Sequence, residues 1–146
     1  MVDTDAEAIA MARAYLDYFP SNRNEPPPVV FDGDVGPRLV PELLDIIPPN
    51  ARKPYDVREV IRAIADDNEY FEVQPLYGQS LSIGWAHLGS RVVGFVANNP
   101  RYRAGALDSP AAIKATDFIE LAETYGHPVV FLLDNPGVME IGRAHV

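Results

Sequence analysis

The sequence predicts an α/β fold, because two neighbouring strands are followed by one long helix and then by a fully apolar strand. Residues 81–87 and 91–97 have the length and apolar content of strands, and Gly89-Ser90 between them predicts a hairpin. Residues 129–133 are only Val, Phe and Leu, a pattern typical of a parallel strand covered on both faces. The order strand, strand, helix, strand therefore indicates an α/β unit.

The totals exclude several classes of function. The 146 residues suffice for one ordinary domain, and 47% hydrophobic with 23% charged residues is a globular balance. The net charge is −9 and there is no basic stripe, the nearest approach to one being Arg101-Tyr102-Arg103, so we expect no nucleic-acid partner. Without cysteine there is no disulfide or thiol chemistry. No stretch reaches the length of a membrane span and the N-terminus is not a signal peptide, so a cytoplasmic location is expected.

The first third of the chain predicts a helix and a connector. Thr4-Asp5-Ala6-Glu7 forms a capping-box pattern, and apolar residues at helical spacing predict a helix over 5–18 that ends before Pro20. Residues 21–54 are rich in proline and polar side chains, which indicates a linker with at most a short helix at 41–47.

The later elements follow from caps and periodicity. Asp56 with Glu59 predicts the start of a helix that runs to about Ala65, followed by a turn at 66–68 and a strand at 70–73. Ser109 as the cap and Pro110 in the first turn predict a second long helix, which Gly126 ends after Tyr125.

One loop is a candidate binding site on position alone. Residues 98–108 leave the carboxyl end of a buried strand, where ligands of open α/β sheets gather, and Gly105 allows neighbouring amides to point at an oxyanion. The alternative is a solvated turn before a capped helix, which spacing alone favours. Asp134-Asn135-Pro136-Gly137 reads as a tight turn, because the chain has no phosphate-binding glycine loop to accompany it.

Other polar residues point to structural roles. His87, His127 and His145 have no metal-ligand spacing, so we expect no metal site and surface or turn histidines. The acidic cluster at 66–69 is expected to be a solvated face, and Asp108 to favour the dipole of the helix that follows it. Trp85 is expected to be a packing residue.

Several motifs, in a fixed order along the chain, point to a more specific function than spacing alone. The chain resembles the carboxyltransferase (β) subunits of biotin-dependent acyl-CoA carboxylases, of the acetyl- and propionyl-CoA type. The resemblance rests on YFPSN at 18–22, EPPP at 25–28, RKPYDVREVI at 52–61, FEVQPLYG at 71–78, GFVANNP at 94–100, AGALD at 104–108, ATDFI at 115–119 and residues 128–137.

This resemblance implies a crotonase-like (ββα superhelix) partial domain preceded by a helix and a linker. Residues 1–20 would end a truncated first domain, 21–54 would be the interdomain linker, and 55–139 would begin the second domain. The end of the chain, 140–146, resembles the in-frame translation of a common sequencing adapter. We therefore expect that segment to be an artefact in which His145 has no role.

The family reaction transfers CO2 from carboxybiotin to the α-carbon of an acyl-CoA, and backbone amides stabilise the oxygens that become negative. The resemblance therefore implies backbone donors among Ala104, Gly105 and Ala106, and carboxybiotin or CoA contacts at Asn98, Asn99 and Gly137. It implies biotin and acyl-CoA as cofactor and substrate, a biotin carboxylase and biotin carboxyl carrier as partners, and a hexameric homo-oligomer.

Two alternatives stay open at this point. One is an enoyl-CoA hydratase or isomerase relative of the same fold, which the segment 5–28 and the YDVR motif at 55–58 disfavour. The other is a non-catalytic interaction module. Because the second amide donor of the family lies beyond this stretch, we expect the chain to be inactive on its own.

Overall fold

The structure, a computed structural model, describes residues 2–30, 37–50 and 52–139. Within these ranges the chain forms four α-helices and four strands, and all of the strands lie from Phe71 onward. The helices are α1 (Asp5–Leu16), α2 (Leu43–Ile46), α3 (Val57–Ile64) and α4 (Ser109–Tyr125), and the strands are β1 (Phe71–Val73), β2 (Leu81–Leu88), β3 (Arg91–Asn98) and β4 (Val129–Leu132). The α/β class predicted from the sequence is confirmed.

One sheet with the order β1-β2-β3-β4 organises the chain. The first three strands are antiparallel, and the β2–β3 hairpin pairs Leu81 with Asn98 at one end and Leu88 with Arg91 at the other. Helix α4 then carries the chain back so that β4 runs parallel to β3, with Gly94 beside Val129. This crossover brings the carboxyl ends of β3 and β4 to the same edge of the sheet.

Each face of the sheet carries its own hydrophobic core. Trp85, which is 0% exposed, packs with Phe118 of α4 on one face, with ring centroids 4.5 Å apart. Phe95, also 0% exposed, packs with Ile61 of α3 on the other face. The apolar stripe predicted for α3 thus faces the sheet, and Trp85 is a packing residue as predicted.

Helix α1 contributes less to the core than its sequence suggests. Its capping box is formed, but the helix ends at Leu16, two residues before the predicted end, and none of its residues is buried. The contact with the sheet comes instead from the residues after it, because Tyr18 is 8% exposed and Phe19 lies 5.2 Å from Trp85 between ring centroids. Assignment of 1–20 to a separate domain stays a prediction.

Two expectations about caps and coverage are wrong. Asp108, not Ser109, caps α4, because its carboxylate accepts from the amide of Ala111 at 3.0 Å. The strand β4 is not covered on both faces: Phe131 is 51% exposed, since nothing among the described residues packs outside it. The apolar sequence of the strand predicts burial on both faces, but no element among the described residues covers the second face.

Two expectations about polar residues also need correction. Asp66 is not simply solvated, because its two carboxylate oxygens accept from the amides of Gly89 and Ser90 at 3.2 and 2.7 Å and so brace the hairpin turn. His127 is not at the surface: it is 5% exposed, and its Nε2 lies 2.7 Å from the carbonyl oxygen of Tyr18. A carbonyl can only accept, so Nε2 carries the proton.

Among the described residues, no group of three or more His, Asp and Glu is arranged to hold a metal ion. None of the helices in the same ranges is long and apolar enough to cross a bilayer. The expected adapter segment, 140–146, lies outside the described residues.

Candidate functional site

The loop after β3 contains a left-handed turn. Arg103, Ala104 and Gly105 have φ angles of 50°, 54° and 77° in succession. Left-handed backbone costs about 1–2 kcal/mol for each residue that carries a Cβ. The turn is closed by hydrogen bonds from the amides of Gly105 and Ala106 to the carbonyls of Tyr102 and Arg103, at 2.9 and 3.1 Å. Strain of this kind persists only where surrounding contacts hold it, and it is concentrated at functional sites.

Asn98 is one of those contacts. It is 2% exposed, donates from Nδ2 to the Gly105 carbonyl at 2.9 Å, and accepts at Oδ1 from Asn135 at 3.3 Å. Because its amide group is used on both sides, Asn98 joins the turn to the segment that follows β4. Its position is beneath the turn rather than on the open surface.

Asn99 connects the loop to a group of charged residues around Asp56. It is 2% exposed, and its Nδ2 donates to Asp56 Oδ1 at 3.3 Å. Asp56 also accepts two bonds from the Arg58 guanidinium, and Arg58 in turn lies 3.3 Å from Glu72. Burial acts to raise the pKa of Asp56, but its bonds to Arg58 and the charge of that residue outweigh burial, so the pKa is lowered. Asp56 is therefore an ionised anchor below the loop.

A cavity of about 710 Å³ lies beside the turn, within the range typical of small-molecule sites. The end of the linker and Tyr55 form one wall, and the segments that follow β3 and β4 form the other. The lining residues are Ile47, Pro48, Pro49, Arg52, Lys53, Pro54, Tyr55, Pro100, Ala104, Asp134, Asn135 and Pro136. Two cationic side chains on the linker wall suit an anionic ligand.

A hydrogen bond joins the two walls of this cavity. The hydroxyl of Tyr55 donates to Asp134 Oδ2 at 2.8 Å, although the residues are 79 positions apart. Partial burial and then the neighbouring carboxylate raise the pKa of Tyr55 to about 12, so the phenol keeps its proton at any physiological pH. The phenol can therefore donate this bond throughout the physiological pH range.

The predicted site residues are brought together, with different degrees of access. Ala104 lines the cavity, while Gly105 is buried next to it. The amide of Ala104 takes part in neither of the two bonds that close the turn. Gly137 lies further along the same edge, where its carbonyl accepts from the amide of Leu107 at 3.2 Å. Assignment of catalytic or cofactor contacts to these residues stays a prediction.

Tyr55, Asp134 and Asn135 line the cavity although their local sequence predicts no such role. The pattern of residues 134–137 predicts a tight turn, because acidic and amide residues before proline are common in turns. The signal that could have found them is topological. The helix between β3 and β4 makes these strands parallel, and the loops after parallel strands meet at one edge of the sheet.

A family model described as carboxyl transferase domain matches residues 1–145 of the chain. That range reaches into the segment assigned to an adapter. Among curated relatives, the propionyl-CoA carboxylase carboxyltransferase subunit of Haloferax mediterranei and the methylmalonyl-CoA decarboxylase subunit alpha of Veillonella parvula are each 36% identical over 137 residues, or 94% of this chain. The chain spans about a quarter of the length of such relatives, 27% in both cases.

The fold matches a solved structure as well. The transcarboxylase 12S structure, described as a hexamer with methylmalonyl-coenzyme A and methylmalonic acid bound, superimposes with a TM-score of 0.87 at 36% identity. The match covers 95% of this chain and 26% of that one. The architecture described above is therefore a portion of the crotonase-like fold, as the resemblance implied.

Proposed function

Because the chain belongs to the carboxyl transferase domain family, we propose that it forms part of a subunit that transfers CO2 from carboxybiotin to the α-carbon of a short-chain acyl-CoA. The observation that carries this proposal is the strained turn at Arg103–Gly105, which adjoins a cavity of about 710 Å³. The hydratase alternative loses support, since the family model includes the N-terminal helix and linker.

The chemistry needs donors for oxygens that become negative. Removing the α-proton of a thioester places charge on its carbonyl oxygen, and release of CO2 from carboxybiotin places charge on the ureido oxygen. A backbone amide is suited to this role because it cannot lose its proton at physiological pH and is fixed by the fold. We propose the turn 104–106 as the source of such an amide, with Ala104 the most open to the cavity.

The other residues around the cavity would hold the turn in position or supply charge for binding the substrates. Asn98 holds the turn by its bond to the Gly105 carbonyl, and Asn99 holds the loop against Asp56. Arg52 and Lys53 give the linker wall a positive charge that would favour the phosphates of CoA or the carboxylate of carboxybiotin. Gly137 would keep the edge after β4 narrow by its bond to Leu107.

A substrate with a single methyl group at the α-carbon is the form we favour. One relative is named a propionyl-CoA carboxylase subunit and another a methylmalonyl-CoA decarboxylase subunit. Both names concern the same bond, because carboxylation of propionyl-CoA at its α-carbon gives methylmalonyl-CoA. We propose the identity of the acyl group. The assay decides whether this protein adds the carboxyl group to it or removes it.

The proposal includes partners and assembly. Carboxybiotin is carried on a protein, so a biotin carrier and a biotin carboxylase would supply the carboxyl group. The relative with a solved structure is described as a hexamer, and we propose a homo-oligomer of this kind for the working subunit, in the cytoplasm. The interaction-module alternative predicts association with such an assembly without turnover.

Radiolabelled bicarbonate tests the activity. The chain is supplied with biotin carboxylase, biotin carrier, ATP and one of propionyl-CoA, acetyl-CoA or methylcrotonyl-CoA, and acid-stable label in the thioester is counted. We expect label above background only when the chain is joined to the rest of a carboxyltransferase subunit, and more with propionyl-CoA than with a methylcrotonyl-CoA control. Turnover by the chain alone would show that all necessary donors lie within these residues.

A further inference from the structure

The Tyr55–Asp134 bond occupies a particular place in the site. It is a direct side-chain link between the two walls of the cavity, 2.8 Å long, and both residues line that cavity with Ala104. Tyr55 lies immediately before the buried helix cap Asp56, so its backbone is fixed by α3. Asp134 follows β4, so its backbone is fixed at one end by the sheet. The bond therefore connects two rigid elements.

The backbone of Asp134 is also in close contact with the turn. A Cβ on Gly105 would lie 2.6 Å from the carbonyl oxygen of Asp134. The next residue, Asn135, donates to Asn98, which itself donates to the Gly105 carbonyl. Residues 134 and 135 thus restrain the turn from one side by contact and from the other through Asn98. A displacement of Asp134 would therefore change the position of Gly105 directly.

We infer that Tyr55 is a positioning residue that holds Asp134, and through it the left-handed turn at 103–105, in the geometry that presents backbone amides to the cavity. The role is mechanical, because the hydrogen bond of the phenol goes to Asp134 and not to the turn itself. The inference deepens the proposed function and, as a statement about transfer rates, rests on it. As a statement about the order of the turn, it holds whether or not the protein transfers CO2.

Hydrogen exchange of the chain, measured by mass spectrometry on peptides that cover 98–107, tests the order of the turn without any substrate. Tyr55→Phe removes one hydroxyl and keeps the ring. We expect exchange at Gly105 and Ala106 to become about threefold to tenfold faster, since one intramolecular hydrogen bond is lost. Tyr77→Phe is the matched control, because Tyr77 is 44% exposed and lies outside the cavity. Equal exchange in both variants would overturn the inference.

Substitutions at Asp134 separate the hydrogen bond from the charge. Asp134→Asn keeps an oxygen that can accept from Tyr55, so it should stay close to the wild-type exchange rate, whereas Asp134→Ala should match Tyr55→Phe. The double variant Tyr55→Phe/Asp134→Ala should be no faster than either single variant, because both remove the same bond. Additive effects, or an Asn variant as fast as the Ala variant, would contradict a shared hydrogen bond.

The transfer assay supplies the functional readout. In a subunit that contains this chain, Tyr55→Phe should lower kcat about tenfold and leave KM for the acyl-CoA within twofold, because misplaced donors weaken the transition state more than substrate binding. A change in KM alone would show that Tyr55 binds substrate, and would overturn the positioning role. If no form transfers CO2 and the exchange results still hold, the proposed function fails and the positioning of the turn stands.

Discussion

Gly105 and Asp134 approach so closely that no side chain fits between them: a Cβ on Gly105 would lie 2.6 Å from the Asp134 carbonyl oxygen. Gly105 also has a φ of +77°, a region that side chains disfavour. The carboxyl ends of β3 and β4 thus meet at a point that only glycine permits. The amides proposed for catalysis lie on either side of that point.

Gly105→Ala should therefore destabilise the chain by about 2–4 kcal/mol, as backbone strain and steric overlap add. Gly126→Ala is the matched control, because Gly126 has a φ of +70° but nothing within 4 Å of its Cβ position. Strain alone should cost about 1 kcal/mol there. The free energies of unfolding from urea titrations give the comparison, and equal losses in both variants would show that the close contact does not exist.

Asp56 should be among the most sensitive polar positions. Its carboxylate caps α3, pairs with Arg58 and accepts from Asn99. Asp56→Ala leaves the Arg58 charge without this partner, so we expect a loss of about 3 kcal/mol or more in the free energy of unfolding. Asp45→Ala, an exposed carboxylate in α2, should stay within about 0.5 kcal/mol of wild type.

The pH dependence of that loss follows from the lowered pKa of Asp56. The folded state holds the ionised carboxylate, so its stabilisation is complete above the unfolded pKa of 3.8 and is lost as the pH falls through the lower folded value. Asp56→Asn should remove this part of the acid destabilisation. Wild type and Asp56→Asn are compared by unfolding from pH 6 downward, and parallel curves would refute the role of the charge.

Lys114 should make the free energy of unfolding depend on pH in the alkaline range, whereas Asp56 acts in the acid range. It is 1% exposed, donates to the Tyr77 carbonyl at 2.7 Å, and burial lowers its pKa to about 8 from 10.5. Between these values the unfolded chain binds more protons than the folded one, so stability due to this group rises with pH, by up to about 3 kcal/mol. Relative to Lys114→Met, wild type should therefore gain stability from pH 7 to pH 10. A constant difference would contradict the buried charge.

The open edge of the sheet predicts association of the chain by itself. Phe131 and Leu133 are 51% and 77% exposed, and β4 pairs only with β3 among the described strands. Unpaired apolar edges promote strand addition and aggregation. Phe131→Lys should raise the monomer fraction in sedimentation velocity. Leu39→Lys, a control at a 94% exposed linker position, should not. A sharp monomer peak for wild type would count against this account.

The sequence predicts most of the fold because local signals and fold agree. The hairpin at Gly89-Ser90 and the helix cap at Asp56 appear in the structure as predicted. The exceptions that concern burial have one cause. Burial of His127 and the exposure of Phe131 depend on which distant element covers each residue, and periodicity within a segment carries no information on that.

Local patterns predict one part of the site, and the other part depends on contacts between distant segments. The loop at 98–108 stood out because Gly105 follows a buried strand, a local pattern. Tyr55 and Asp134 meet only after the chain has passed through α3, the hairpin and α4, and no spacing rule relates two residues 79 positions apart. Their pairing is a property of the topology.

We propose that the turn at Arg103–Gly105 supplies an amide that stabilises a negative oxygen during carboxyl transfer. The direct test is a transcarboxylase 12S subunit in which this chain replaces the matching 26% of the sequence. The kcat of labelled carboxyl transfer is compared for the replacement, its Gly105→Ala variant and its Gly126→Ala variant, each corrected for the folded fraction. We predict transfer by the replacement, a loss of about 100-fold or more in Gly105→Ala, and a change below threefold in Gly126→Ala. A folded hexamer without transfer, or a Gly105→Ala variant as active as Gly126→Ala, would contradict the claim.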